Sequence, residues 1–493
     1  MQIRKKLFIK NGIIMTISAL LIRCMGMAFR VYLADVIGAE GMGLYQLTMS
    51  IYLFFASVST AGITLCATRL FGDLYAQGKP GQARFSVERC ITVALVSGAA
   101  LSIIMYLSSD LCAGVLLREE RAAPALRLLS PSLPFMAASA CIRGYFTSRR
   151  KTLPTCIEQL LEQIIEMGIL AAVFTFSTPK DLEQVCSRAV IGTSAAELVS
   201  FVYSIICYKA DIRRLGCKSE HASSLLRKML PIAMPVTANA CLRTGLSAAE
   251  NALIPLGLQK YGMTRELALT GYGIITGMSM TVLVFPSVLI LPFAVLIIPE
   301  IAEAAVLKHR NEVRHVTGRM FGLTMLYSVP VTVLLIFYAV PLCRLLFGNE
   351  EAGIYLSLLA PVIPFMYLDS VADGILKGLN EQTSYLIFNT LDSLLRVALT
   401  YILLPVFGIY GVIAVIIISE LLNTTMSIAR LVHITSFKVS MSEYLIRPAC
   451  CMLLPCLLIR LLPVPALAGM IISAACFILL LHLTRKQPDL SPR

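Results

Sequence analysis

About fourteen apolar stretches, each roughly 18–28 residues long and bounded by charge or turn residues, run through the chain. They lie near 11–29, 46–68, 90–117, 124–147, 157–177, 187–208, 229–255, 271–299, 319–341, 353–376, 385–404, 409–430, 445–462 and 466–484. A helix of that length crosses the ~30 Å hydrocarbon core of a bilayer. With 57% of its 493 residues hydrophobic and only 14% charged, the chain has more apolar surface than a soluble fold of this size can hide. The expected class is all-α integral membrane, with about 14 transmembrane helices.

Lysine and arginine set the expected orientation. With the N-terminus in the cytoplasm, about 28 of the 42 basic residues fall in inner loops. The densest groups are Arg4 to Lys10, Arg149 to Lys151, Lys209 to Lys228 and Lys308 to Arg319. Both termini are therefore expected to be cytoplasmic, and the net charge of +13 reflects this bias rather than affinity for nucleic acid. The N-terminal MQIRKKLFIK followed by an apolar run has the layout of a signal peptide. No small-residue cleavage site precedes Arg23, so it reads as an uncleaved first span. The 15 cysteines are scattered, mostly within apolar runs, and read as reduced, small apolar fillers. No cysteine pair has zinc-ligand spacing, and the five histidines sit in polar loops or near span ends. No metal or cofactor is expected.

The chain repeats itself. PSLPFM at Pro131 to Met136 returns as PVIPFM at Pro361 to Met366, a shift of 230 residues. The same shift pairs Gly144 with Gly374 and Glu162 with Asp392, and sets Phe55 to Val58 against Phe285 to Val288. Six spans per half is an even number, so both halves start on the same side and the repeat is parallel. The expected layout is a six-helix lobe over 1–208, a cytoplasmic linker over 209–228, a second six-helix lobe over 229–432, and two additional helices over 445–484. Such folds place substrate between the halves.

Within this frame a few polar residues stand out. Arg23 and Arg30 are two helical turns apart, so they share one face of the first span. Each costs roughly 2.5–3.5 kcal/mol on insertion scales, which an anionic substrate would justify. At a shift of 220, Arg243 and Glu250 take the same two positions on the leading helix of the second half. Glu158, Glu162 and Glu166 share one face of span five, where they either line a cavity or meet basic inner loops. Arg396 follows Asp392 by four residues and can pair with it on its own helix. Arg143 and Arg69 read as anchors at inner span ends. Asp369 and Asp373 lie at helical spacing in span ten. Pro131, Pro134, Pro361 and Pro364 are expected to bend spans four and ten as hinges.

The stretch Arg23-x-x-Gly26-x-x-x-Arg30, the following IGAEGMGLYQL, Pro231 to Pro255, and Tyr272 to Ala304 resemble the stage V sporulation protein B family. That family is part of the multidrug/oligosaccharidyl-lipid/polysaccharide flippase superfamily. The resemblance covers nearly the whole chain. It implies a flippase for undecaprenyl-pyrophosphate-linked saccharides in the bacterial cell membrane, in particular the lipid-linked peptidoglycan precursor of spore cortex. It carries a substrate-binding role onto Arg23 and Arg30, while Arg243, Glu250, Arg396 and Glu162 are expected at the substrate site from their own positions in the spans. Lipid II flippases have an arginine shortly before a Phe-Pro-Ser in span eight. Here Phe285-Pro286-Ser287 is present but Thr281 stands in the arginine's place.

Chemistry read from the residues agrees, since a pyrophosphate suits arginine's planar fork. The implied partners are a lipid-linked saccharide, membrane lipids, a possible coupling ion near Glu250 and cell-wall synthesis proteins. The alternatives are an exporter of other lipid-linked polysaccharide units, a cation or drug antiporter of the same fold, a membrane enzyme, and a scaffold for wall synthesis. An enzyme would need a metal constellation, a nucleotide loop or a sizeable soluble domain, and the sequence offers none of these.

Overall fold

A computed structural model describes residues 2–176, 181–216, 219–220, 225–290, 298, 301–307, 309–437 and 442–483. The described residues form helices, with no strand among them. The helices are α1 (Gln2–Ala76), α2 (Pro80–Leu107), α3 (Ala123–Leu129), α4 (Leu133–Ser148), α5 (Leu153–Phe176), α6 (Leu182–Leu215), α7 (Leu225–Lys260) and α8 (Arg265–Tyr272). After a π-helical stretch, Gly273–Ser279, come α9 (Met280–Val284), α10 (Arg310–Phe347), α11 (Glu350–Leu359) and α12 (Ile363–Gly378). The last four are α13 (Gln382–Phe407), α14 (Ile409–Thr435), α15 (Arg447–Arg460) and α16 (Ala466–Leu483).

Among the described residues, eleven helical segments are long and apolar enough to cross a membrane. The expectation of fourteen differs for physical reasons. α1 counts once, yet its chain direction breaks at Gly38 (φ 68°, ψ −177°), a backbone region that only glycine enters cheaply. It therefore contains both of the first two expected spans. α5, with its three glutamates, and α7, with Pro231, Pro235 and Pro255 inside it, are not among the eleven.

Packing divides the chain into two compact units, Met1–Gly273 and Ile274–Arg493. The expected lobe boundary at 209–228 falls inside the first unit, and its residues 217–218 and 221–224 lie outside the described residues. The boundary by packing falls later because α7 lies along the second half of α1. A Cβ on Gly62 would sit 2.3 Å from Thr237 Oγ1 and 2.8 Å from the Ala233 carbonyl oxygen. Small residues let membrane helices approach this closely. Below this contact Cys66, Leu70, Cys90, Cys141, Tyr145 and Met229 form one buried core. The cysteines in it are free thiols.

In the second unit, α10 is the spine. α11 starts on an Asn349 cap, whose Oδ1 accepts from Ala352 N at 3.0 Å. The two additional helices, α15 and α16, pack on α10 through Tyr338, Met452 and Cys456. Tyr338 Oη and Ser473 Oγ are 3.0 Å apart, tying α10 to α16.

The internal repeat is visible in the backbone. The helix pair α3–α4 is interrupted by a 3-10 turn at Ser130–Ser132, and α11–α12 by one at Ala360–Val362. Pro131 and Pro361 lie within these turns, while Pro134 and Pro364 occupy the second positions of α4 and α12. A proline has no N–H to donate, so a helix that must pass these sites tightens or breaks there. Two residues past each helix end the chain enters the left-handed region, at Arg150 (φ 55°) and Asn380 (φ 62°). These positions are again 230 apart.

Candidate functional site

Five of the six residues expected at the substrate site lie in the first unit. Arg23 and Arg30 are on the part of α1 before the Gly38 break; Arg23 is exposed and Arg30 half-buried. Arg30 is within electrostatic reach of both Arg23 and Tyr45, in keeping with two guanidinium groups on one face. This face meets α5, because a Cβ on Gly26 would lie 3.6 Å from Gln163 Oε1. Arg243 is exposed on α7 and Glu250 is half-buried two turns further on; both are engaged by neighbouring groups. α7 meets α1 at this level, with Gly245 against the Phe54 ring.

Beside the arginine pair lies a buried carboxylate cluster. Glu158 accepts from Arg143 Nη1 at 2.8 Å and from Ser200 Oγ at 3.1 Å. Glu166 accepts from Thr193 Oγ1 at 2.7 Å and from Gln163 Nε2 at 3.2 Å. Glu162 lies between them in electrostatic range of both. A fourth acid, Glu197 on α6, faces the same group, is 4% exposed and has no hydrogen-bond partner for Oε2. Tyr45 is within electrostatic range of Glu166 and of Arg30, so it links the cluster to the arginine pair. The glutamate face of span five therefore points inward toward α4 and α6. Arg143, expected to be an anchor at a span end, is an ion-pair partner of that face. Glu197 was missed in the sequence because a single acid in span six has no periodic companion to mark it.

The second unit places Arg396 in a polar layer of its own. It donates to Asp392 Oδ2 at 3.0 Å, the expected pairing on one helix, and to Glu420 Oε1 on α14 at 2.7 Å. Nearby, Asp369 accepts from Asn423 Nδ2 at 2.9 Å and from Ser427 Oγ at 3.0 Å. Asp373 is close to Asp369 and is engaged. Thr281 donates to the Gly277 carbonyl oxygen at 2.6 Å, bonding its own helix rather than standing in for a cation. Among the described residues, no three His, Cys, Asp or Glu side chains are grouped to hold a metal ion.

Long apolar helices with arginines and carboxylates paired among them define a multi-pass membrane transporter. Comparison with known proteins narrows this. The family described as Polysaccharide biosynthesis protein matches residues 8–248, and the MatE family matches residues 261–402. Stage V sporulation protein B of Bacillus subtilis (strain 168) is 23% identical over 447 residues, covering 89% of this chain and 86% of that protein. Among solved structures, a lipid II flippase MurJ in an inward closed conformation superposes with a TM-score of 0.74 at 14% identity, over 96% of this chain and 98% of that one. An inward-facing multidrug resistance MATE family transporter superposes with a TM-score of 0.66 at 12% identity, over 85% of this chain and 99% of that one. By these matches the chain is similar to proteins of the multidrug/oligosaccharidyl-lipid/polysaccharide flippase superfamily, and it is a transporter rather than an enzyme.

Proposed function

We propose that this transporter flips an undecaprenyl-pyrophosphate-linked saccharide, namely the lipid-linked peptidoglycan precursor used for spore cortex, across the bacterial cell membrane by alternating access. The observation that carries the reading is the Arg23–Arg30 face within a transmembrane helix, with Tyr45 beside it. A pyrophosphate carries the oxygens that two planar forks grip, and a neutral or cationic drug does not. Arg243 supplies a third guanidinium from α7, on the helix that the repeat aligns with α1. Relatives described as a sporulation protein and a lipid II flippase support the same substrate class. Both termini lie in the cytoplasm, as the basic-residue bias requires. The two repeat halves, 1–208 and 229–432, move as lobes, with Pro131, Pro134, Pro361 and Pro364 at the points where their helices yield.

The coupling ion enters at the carboxylates. Glu158, Glu162, Glu166 and Glu197 have one guanidinium, Arg143, hydrogen-bonded among them. A proton taken up there, which needs no metal-holding group, would reduce the charge the protein leaves over. This cluster fits that role better than Glu250 does.

The test is reconstitution in vesicles with labelled lipid-linked precursor, following loss of inner-leaflet label. Flipping by the wild type, and none by Arg23→Ala or Arg243→Ala at normal abundance, is the expected result. A second reading, a cation or drug antiporter, is favoured by the carboxylate cluster and the MatE match over 261–402. Transport of a soluble cationic drug with no precursor movement would replace the first reading with the second.

A further inference from the structure

The first three turns of α10 place Asn311, Arg314, His315 and Gly318 on one stripe, at spacings of three and four residues. Gly322 continues the stripe by one turn. There the Tyr444 ring is pressed onto the helix, and a Cβ on Gly322 would lie 2.7 Å from it. Between this tyrosine and the start of α10 is a cavity of about 600 Å³, lined by Asn311, Arg314, His315, Gly318, Arg319 and Tyr444. Gly318 contributes backbone and no side chain to the wall of this cavity. Asn311 and Arg314 also line a second cavity of about 620 Å³, together with His309 and Arg310 around the helix start.

These basic residues differ from several others expected on the same face. Arg84 pairs with Glu88, Arg143 with Glu158, Lys151 with Asp211 and Arg430 with Glu381. Among the described residues, Arg314, His315 and Arg319 have no hydrogen-bond or ion-pair partner. Glu312 is 3.1 Å from His309 instead, and Glu443 forms no ion pair with a described residue. Two arginines and a histidine converge on one cavity with no carboxylate of their own.

We propose that this cavity binds the phosphodiester headgroup of an anionic membrane phospholipid, at a site separate from that of the transported substrate. Arg314 and Arg319 grip the phosphate oxygens, and the Tyr444 hydroxyl and Asn311 amide supply neutral donors. The occupant is a lipid rather than a soluble phosphate because of what adjoins the cavity. Immediately past Arg319 and Tyr444, Leu323 and Ile446 are 45% and 57% exposed, so apolar side chains lie ready for acyl chains. Basic pockets between transmembrane helices are suited to such headgroups.

The test uses delipidated full-length protein titrated with phosphatidylglycerol, phosphatidylcholine or inorganic phosphate. Native mass spectrometry and thermal unfolding provide the readouts. One phosphatidylglycerol should be held at least about tenfold more tightly than phosphatidylcholine. Arg314→Gln with Arg319→Gln should abolish that preference, while Arg213→Gln with Arg214→Gln should retain it. Equal binding of the two lipids by the wild type, which depends on no variant, overturns the proposal. So does a preference that survives the first double substitution. Binding of inorganic phosphate without a phosphatidylglycerol preference shows a soluble-anion site and overturns the lipid assignment.

Discussion

The two units solve the same problem with the same charges carried on different helices. In the first, the arginine comes from α4 and the acids from α5 and α6; in the second, the arginine comes from α13 and the acids from α12, α13 and α14. At the repeat shift of 230, Arg143 corresponds to Asp373 and Glu166 to Arg396, while Glu162 and Asp392 stay acidic. Each layer holds four carboxylates and one guanidinium: Glu158, Glu162, Glu166 and Glu197 with Arg143, and Asp369, Asp373, Asp392 and Glu420 with Arg396. Helix geometry has been kept between the halves, and so has the ratio of charges. The helix that bears the cation has not. Single acids within the layers differ in completeness: Asp369 accepts two hydrogen bonds, whereas Glu197 Oε2 in the first layer and Asp392 Oδ1 in the second have no hydrogen-bond partner.

The largest effect is expected from removing either guanidinium. Arg143→Met leaves Glu158 buried without its cation, and Arg396→Met does the same to Asp392 and Glu420. Each should destabilise its unit by about 3–5 kcal/mol, the usual cost of breaking a buried pair from one side. Thermal unfolding in nanodiscs measures it. A large loss for one and none for the other would end the equivalence of the two layers.

Next comes substrate grip, which the proposed function assigns to the first unit. Arg30→Lys keeps the charge but loses the fork, so precursor binding should weaken at least about tenfold, or about 1.4 kcal/mol. Arg396→Lys, whose partners are carboxylates of its own layer, should leave precursor affinity unchanged. Affinities of the purified variants in nanodiscs decide the matter, and a wild-type Kd for Arg30→Lys removes the bidentate role.

A smaller contrast tests completeness. Asp369→Asn disturbs two made hydrogen bonds and should cost about 1 kcal/mol. Glu197→Gln removes a charge with few bonds to lose, so it should be neutral or stabilising. Equal losses from both would mean that Glu197 is satisfied in the folded state.

The smallest expected effect lies outside the spans. Hydrogen bonds from Ser384 and then Arg430 hold the Glu381 carboxyl below the usual carboxylate range. A folded-state pKa below the unfolded one gives stability that is present above the unfolded value and lost as pH falls through the folded value. A slight drop in unfolding temperature in acid should therefore appear in the wild type and be smaller in Glu381→Gln.

Much of this was legible in the sequence, and the reasons are specific. Span length is written in hydropathy, and the PSLPFM and PVIPFM motifs gave away turns that recur 230 residues apart because proline forces the same backbone solution twice. The Arg23–Arg30 face followed from helical periodicity alone. Packing was harder to see. α7 belongs with α1 because Gly62 accepts the backbone of α7, and a small residue leaves no trace in a hydropathy profile. Arg143 looked like an anchor because its partner Glu158 is 15 residues away and on another helix. Glu197 had no periodic companion, so only the folded arrangement brings it to the other acids.

The left-handed residue that follows both α4 and α12 has a practical consequence for protein engineering. At Asn380 the side chain tolerates that backbone, whereas at Arg150 the same conformation strains an ordinary L-residue by about 1 kcal/mol. The second half thus supplies a repair for the first. Arg150→Asn copies the chain's own answer to the same corner, and a duplicated protein becomes a two-member consensus from which hardier versions can be drafted position by position.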